Sequence, residues 1–243
     1  MHHATDELVS SLLDRAEQSR MCLPATNQAE LRRLLRRVDT GELANPFPYL
    51  FVRRTYWETL ASKPDIRALH ITRGLAELHP DWIFAQASAA LAYNLQVTGG
   101  SLRQVHLAVS RASHSNSLAE IKRHAIPNEE LSETQTIGGI RVTSFWRTVF
   151  DCLRSLPGRE ALVIADSVAR TRGLDARQIM RELRLRFHKR KGLDRALGLA
   201  RFADGRSENG GESQVRANIV RLGYEMPELQ AWFDNPVDPG SSY

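Results

Sequence analysis

Long apolar runs are missing from this sequence. No stretch of its 243 residues approaches the roughly 18 uncharged apolar positions that a membrane helix needs, so an integral helical membrane protein is excluded. Residues 1–7 are polar and acidic and carry no apolar signal core, so export is not expected. Cysteine is scarce. Cys22 and Cys152 stand in unrelated segments, without a CxxC pair or a histidine at ligand spacing, which fits a reducing cytoplasm and argues against zinc. Cys152 lies among Val149, Leu153 and Leu156 and reads as a small buried hydrophobe. There is no glycine-rich phosphate loop followed by lysine, no HExxH and no GxSxG. His, Cys and Asp never cluster at nucleophile or metal spacing, so no catalytic residue, metal or cofactor is expected.

What is present is ordinary globular material, 42% hydrophobic and 25% charged. The net charge is +5, and nearly all the basic residues are arginine. A mild positive balance permits nucleic-acid binding without establishing it, so the distribution decides.

The first concentration of charge lies near the N-terminus. Residues 6–19 read as a short amphipathic helix with Leu8, Leu12 and Leu13 on one side, and Pro24 punctuates the loop that follows. A second helix is expected over 28–38, with Asn27 and Glu30 forming a capping box and Gly41 at its exit. Leu31, Leu34, Leu35 and Val38 fall within one narrow arc of that helix, and Arg32, Arg33, Arg36 and Arg37 fall in the opposite arc. Residues 42–54 then read as a hairpin-like return through the turn Asn45-Pro46-Phe47-Pro48. A basic helix followed by a small ribbon is the pattern of a winged helix-turn-helix. The helix would enter the major groove, and Arg53 and Arg54 would grip phosphates. The alternative is a helix with a solvated arginine face.

Residues 63–80 read as a helix with Ile66, Leu69, Leu75 and Leu78 inward, His70 and His79 being surface or packing residues. Short strands are expected at 82–85, 105–109, 119–126 and 140–143, with a small-residue helix starting at Ser88. Helix 145–156 buries Val149, Cys152, Leu153 and Leu156, and Arg147 and Asp151, four apart, are expected to pair on its surface. In helix 159–170, Asp166 shares a side with Leu162 and Ala169, which suggests a half-buried acid anchoring a neighbouring helix end. Helix 176–188 has an Asp175/Gln178 cap pair. From Arg170 to Arg201 basic residues exceed acidic ones by eight. This second basic segment competes with 31–54 as a nucleic-acid surface, or is a solvated face, or docks an acidic partner. Residues 203–212 read as a linker, followed by helix 213–222 with Val215, Ile219 and Leu222 aligned, and by an extended run over 228–233.

Three stretches together resemble a family. GGIRVTSFWRTVFDCL (138–153) resembles the strand-into-helix segment of bacterial AbiEi-type proteins, the antitoxin components of type IV toxin–antitoxin systems. ASAALAYNLQV (87–97) resembles their small-residue helix, with Asn94 where glycine is usual. SENGGESQVRANIVRLGYEMPELQ (207–230) resembles the junction in actinobacterial members at which a very-short-patch-repair-like endonuclease domain of the PD-(D/E)XK type begins. As the resemblance implies, Glu212 matches the carboxylate on the first helix of that domain. The strands that would bring an Asp and a Glu-x-Lys do not follow before Tyr243, so Glu212 is expected to be vestigial and nuclease activity absent. Helix capping is the competing role for Glu212.

The expectation is therefore an α+β chain. It has a degenerate winged-helix-like head at 1–60, a central mixed α/β domain at 61–203 and a truncated helix–strand segment at 204–243. The expected function is a non-enzymatic, cytoplasmic DNA-binding regulator, antitoxin-like. It would repress its own operon from double-stranded operator DNA, restrain a toxin partner and form a homo-oligomer. The alternatives are a truncated or split nuclease-lineage protein, inactive alone, and a protein interaction scaffold.

Overall fold

The computed structural model describes residues 2–110 and 118–231. Helix α1 (His2–Gln18) leads through β1 (Leu23–Pro24) to α2 (Gln28–Asp39), and β2 (Leu43–Phe47) returns as β3 (Leu50–Arg53). The three strands form an antiparallel sheet ordered β1-β3-β2, with Leu23 opposite Phe51 and Leu43 opposite Arg53. Side chains of β3 alternate between the two faces of this sheet. Phe51 joins Val9, Leu13, Leu34 and Leu43 in a small core with α1 and α2. Leu50 and Val52 enter a second core with Leu75, Phe84, Leu107 and Val142. Burial on both faces explains why this central strand reads Leu-Phe-Val with no polar alternation. The turn between β2 and β3 falls at Pro48-Tyr49, beyond the expected Asn45–Pro48. Asn45 instead sits where the register shifts, and its amide donates to the carbonyls of Phe47 (2.8 Å) and Leu50 (2.7 Å).

The chain continues through α3 (Arg54–Thr59), α4 (Pro64–Leu78), β4 (Ile83–Phe84) and α5 (Gln86–Ala92). It then forms β5 (Val105–Ser110), β6 (Ile121–Ile126), α6 (Asn128–Ser132), β7 (Thr134–Ile137), β8 (Ile140–Thr143) and α7 (Phe145–Ser155). These strands build a mixed sheet ordered β6-β5-β4-β8-β7, parallel at β5/β6 and β4/β8 and antiparallel elsewhere. The hairpin β7–β8 was not foreseen. Gly138 and Gly139, with φ of +55° and +83°, supply the two positive-φ positions that a tight two-residue turn requires. Gly74 on α4 is set by close approach, since a Cβ there would lie 2.6 Å from the carbonyl oxygen of Cys22.

The chain divides into two compact units, Met1–Cys152 and Leu153–Tyr243, where boundaries near 60 and 204 were expected. The shared β3 core explains why 1–60 is not separate. The second unit holds α8 (Gly158–Arg172), α9 (Ala176–Phe187), α10 (Leu193–Ala200) and α11 (Gly210–Arg221). Residues 160–169 of α8 are buried without interruption, so it is the central rod of this unit. Asp166 is fully buried rather than half-buried. Its Oδ1 accepts from the backbone N–H of Asp204 (2.8 Å) and its Oδ2 from Arg216 (2.5 Å), whose second N–H reaches the carbonyl of Phe202 (2.7 Å). Burial pushes the Asp166 carboxyl above its usual range, and these donors oppose the shift.

Residues 203–212 are thus no free linker. Asp204 is held by Asp166, Arg170 donates to the carbonyl of Ser207, and the Ser207 and Ser213 hydroxyls lie 2.9 Å apart. The buried face of α11 is polar, built from Ser213 and Arg216, whereas Val215 and Leu222 are exposed. Apolar periodicity therefore pointed to the wrong face of this helix. No strand occurs over 228–231, and the rest of the expected run lies outside the described residues. Among the described residues, no helix is long and apolar enough to cross a membrane.

Candidate nucleic-acid interface

Helix α2 starts as its sequence dictates. The Asn27 side chain accepts from the N–H of Glu30 at 3.0 Å. Glu30 does not complete the box at Asn27. Its Oε2 accepts instead from the N–H (2.8 Å) and hydroxyl (2.7 Å) of Thr26, and these bonds hold its carboxyl below the usual range. Leu34 is buried, and Leu31 and Val38 pack against the same core. Leu35 was expected inside but is 40% exposed, because it lies at the arc's edge nearest Arg32.

The six expected DNA-contacting arginines divide into two groups. Arg32 and Arg36 are exposed and Arg33 is half-buried. No carboxylate forms an ion pair with any of the three among the described residues. Glu30 is drawn back to Thr26, and Arg36 uses only its Nε, on the carbonyl of Arg32 (3.3 Å). Arg32, Arg33 and Arg36 span about 6 Å of helix axis on one side of α2.

The other three do not project outward. The side chain of Arg37 is only 16% exposed and pairs with Asp6 and with Glu42 (2.8 Å). Arg53 pairs with Asp14 (2.7 Å) and Glu17 (3.0 Å) and donates to the carbonyl of Ser10. Arg54 begins α3 rather than extending the ribbon, and donates to the carbonyls of Gly41 (2.8 Å) and Leu43 (3.3 Å). The acids of α1 claim Arg37 and Arg53, and unfinished backbone acceptors claim Arg54. Spacing within α2 and β3 gives no hint of these partners.

Arg147 and Asp151 are not a surface pair. Residues 147–153 are all buried, so α7 is enclosed through its middle. Arg147 donates to Asp151 at 2.6 Å and to Glu130, linking α7 to α6. Asn209 caps α11, its Oδ1 accepting from the N–H of Gly211 (2.9 Å) and Glu212 (3.1 Å), and the Glu212 carboxylate braces that cap by accepting from the N–H of Glu208 and the amide of Asn209, both at 2.9 Å. Among the described residues, no group of three or more His, Cys, Asp or Glu could hold a metal ion.

Within the basic segment 170–201 the charge is concentrated on one helix. On α9, capped by a reciprocal Asp175/Gln178 box, Arg177, Arg181 and Arg184 are exposed along one face. Their i, i+4, i+7 spacing was visible in the sequence. Comparison with protein-family models and with curated proteins returns no match.

Proposed function

We propose that this protein is a non-enzymatic DNA-binding regulator whose first unit reads duplex DNA with α2. The observation that carries the reading is the set Arg32, Arg33 and Arg36, presented together on a capped helix whose other side is fixed by Leu34 in the core. Such a set can neutralise phosphates or donate to guanine edges without breaking an existing ion pair. The order β1-β3-β2, with α1 before β1 and the ribbon after α2, supports a winged-helix-like head with one helix fewer than usual. Arg37, Arg53 and Arg54 leave the DNA-contacting set and become supports for α2 and the ribbon.

The AbiEi-like resemblance makes the natural target the DNA upstream of the chain's own gene, in the cytoplasm. A toxin is then the natural protein partner and a homo-oligomer the natural form. The engagement of Glu212 with Glu208 and Asn209 weighs against a nuclease reading. The test is binding of the full chain to that upstream duplex and to a random duplex of equal length. The upstream DNA should bind about 10³-fold more tightly or better. R32Q/R33Q/R36Q should bring it to the random level. Equal affinity of the wild type for both duplexes would overturn the regulator reading.

A further inference from the structure

The cationic face of α9 lies in the second unit, apart in sequence from α2. Ile179, Leu183 and Phe187 recur every four residues and are buried, which seats the helix on the second unit. On the remaining surface Arg177, Arg181 and Arg184 stand one behind another, all exposed. His188 extends the same line by one turn, and exposed Lys189 and Lys191 follow. From 176 to 191 seven Arg and Lys accompany a single acid, Glu182. That acid is held by Arg186 at 3.0 Å. Among the described residues no acid pairs with Arg177, Arg181 or Arg184. The row from Arg177 to His188 runs about 16 Å along the axis.

Like charges at these spacings repel one another, and among the described residues no ion pair offsets them. A ligand that brings a line of negative charge gains the attraction without displacing an existing partner. Duplex nucleic acid carries one charge per roughly 1.7 Å of axis and releases counterions on contact. A membrane fits less well. An interfacial helix needs a free apolar face, and that of α9 is occupied by its own core, leaving Leu185 as the exposed apolar side chain. We propose that the row Arg177–Arg181–Arg184 is a sequence-independent docking surface for the backbone of duplex nucleic acid. The row matches the repeated charge of the backbone, and contacts to phosphate carry no sequence information directly. The proposal rests on the DNA-binding reading for its ligand, and on different residues in a different unit for its surface.

The experiment is a salt titration of the full chain on a random-sequence duplex. In R177Q/R181Q/R184Q the log–log slope should shrink by about 2–3, with equal loss of affinity for every sequence. Circular dichroism and the unfolding midpoint should stay unchanged, and R177K/R181K/R184K should keep the wild-type slope. An unchanged slope in the Gln variant would overturn the proposal. So would loss of binding to polyglutamate with duplex binding intact, which would mark an acidic-protein surface. Complete loss of random-duplex binding at low salt in R32Q/R33Q/R36Q would also overturn it, while leaving the α2 reading in place. Conversely, if that variant binds the upstream duplex normally and the α9 variant does not, the α9 surface stands and the α2 reading fails.

Discussion

At the residue scale, the clearest pH dependence belongs to His106 on β5. Its Nε2–H donates to the carbonyl of Ser101 (3.2 Å), and Nδ1 accepts from Nε2–H of His124 on β6 (2.9 Å). The two rings stack with centroids 5.1 Å apart. Burial, reinforced by His124 and Lys122, pushes the His106 pKa down to about 3. The unfolded chain therefore binds a proton near pH 6.5 that the folded chain refuses. The stabilising contribution is full above pH 6.5 and declines as pH falls toward 3. Between pH 6.5 and 5 the loss from this site is about 1.6 kcal/mol. Denaturant unfolding at the two pH values should show it, and His106→Gln should shrink the difference by about that amount, leaving the share of buried His70 and of His79, whose pKa values burial also lowers. An equal pH dependence in the variant would refute the assignment. The His106–His124 pairing was hidden from the sequence because it depends on the parallel register that sets Ala108 opposite His124. Arg53 was illegible for the same reason, its acids lying far upstream on α1.

At the scale of elements, local signals were readable and partners were not. The caps of α2 and α9 stood in the sequence as Asn27 and as Asp175 with Gln178, because capping is decided within four residues. The apolar face of α9 followed its periodicity, and that of α2 did so except at Leu35; Leu34 and Leu183 are buried. Periodicity failed on α11, where an ion pair rather than a hydrophobic stripe faces the unit. Arg216 and Asp166 are fifty residues apart and both buried, so each is the other's charge partner, with the Asp204 N–H and the Phe202 carbonyl completing the set. Arg216→Met should cost about 3–5 kcal/mol by leaving the carboxyl buried without its partner. The double variant Asp166→Leu/Arg216→Met should recover much of that loss. The measurement is the denaturant midpoint of each variant; a midpoint at the wild-type value in Arg216→Met would show that α11 is held by other contacts. The same pair explains the stretch 203–212. Its Gly, Ser and Asn composition is that of a linker, yet its backbone is bonded to α8 and α11.

At the scale of the molecule, the α+β character was legible from the alternation of short β-branched runs with helical segments. The division into two units was not, since a strand of the N-terminal sheet contributes to both cores of the first unit. Each unit carries its own row of arginines that form no ion pair among the described residues, on α2 and on α9, whereas Arg37, Arg53, Arg54 and Arg186 are bound to acids or carbonyls. The central claim concerns the first row. Its most direct test is the salt dependence of the full chain's affinity for its own upstream duplex, compared with R32Q/R33Q/R36Q. The wild type should show a log–log slope of about −5, falling in magnitude by about 2–3 in the variant. A variant with wild-type slope and wild-type affinity would contradict it.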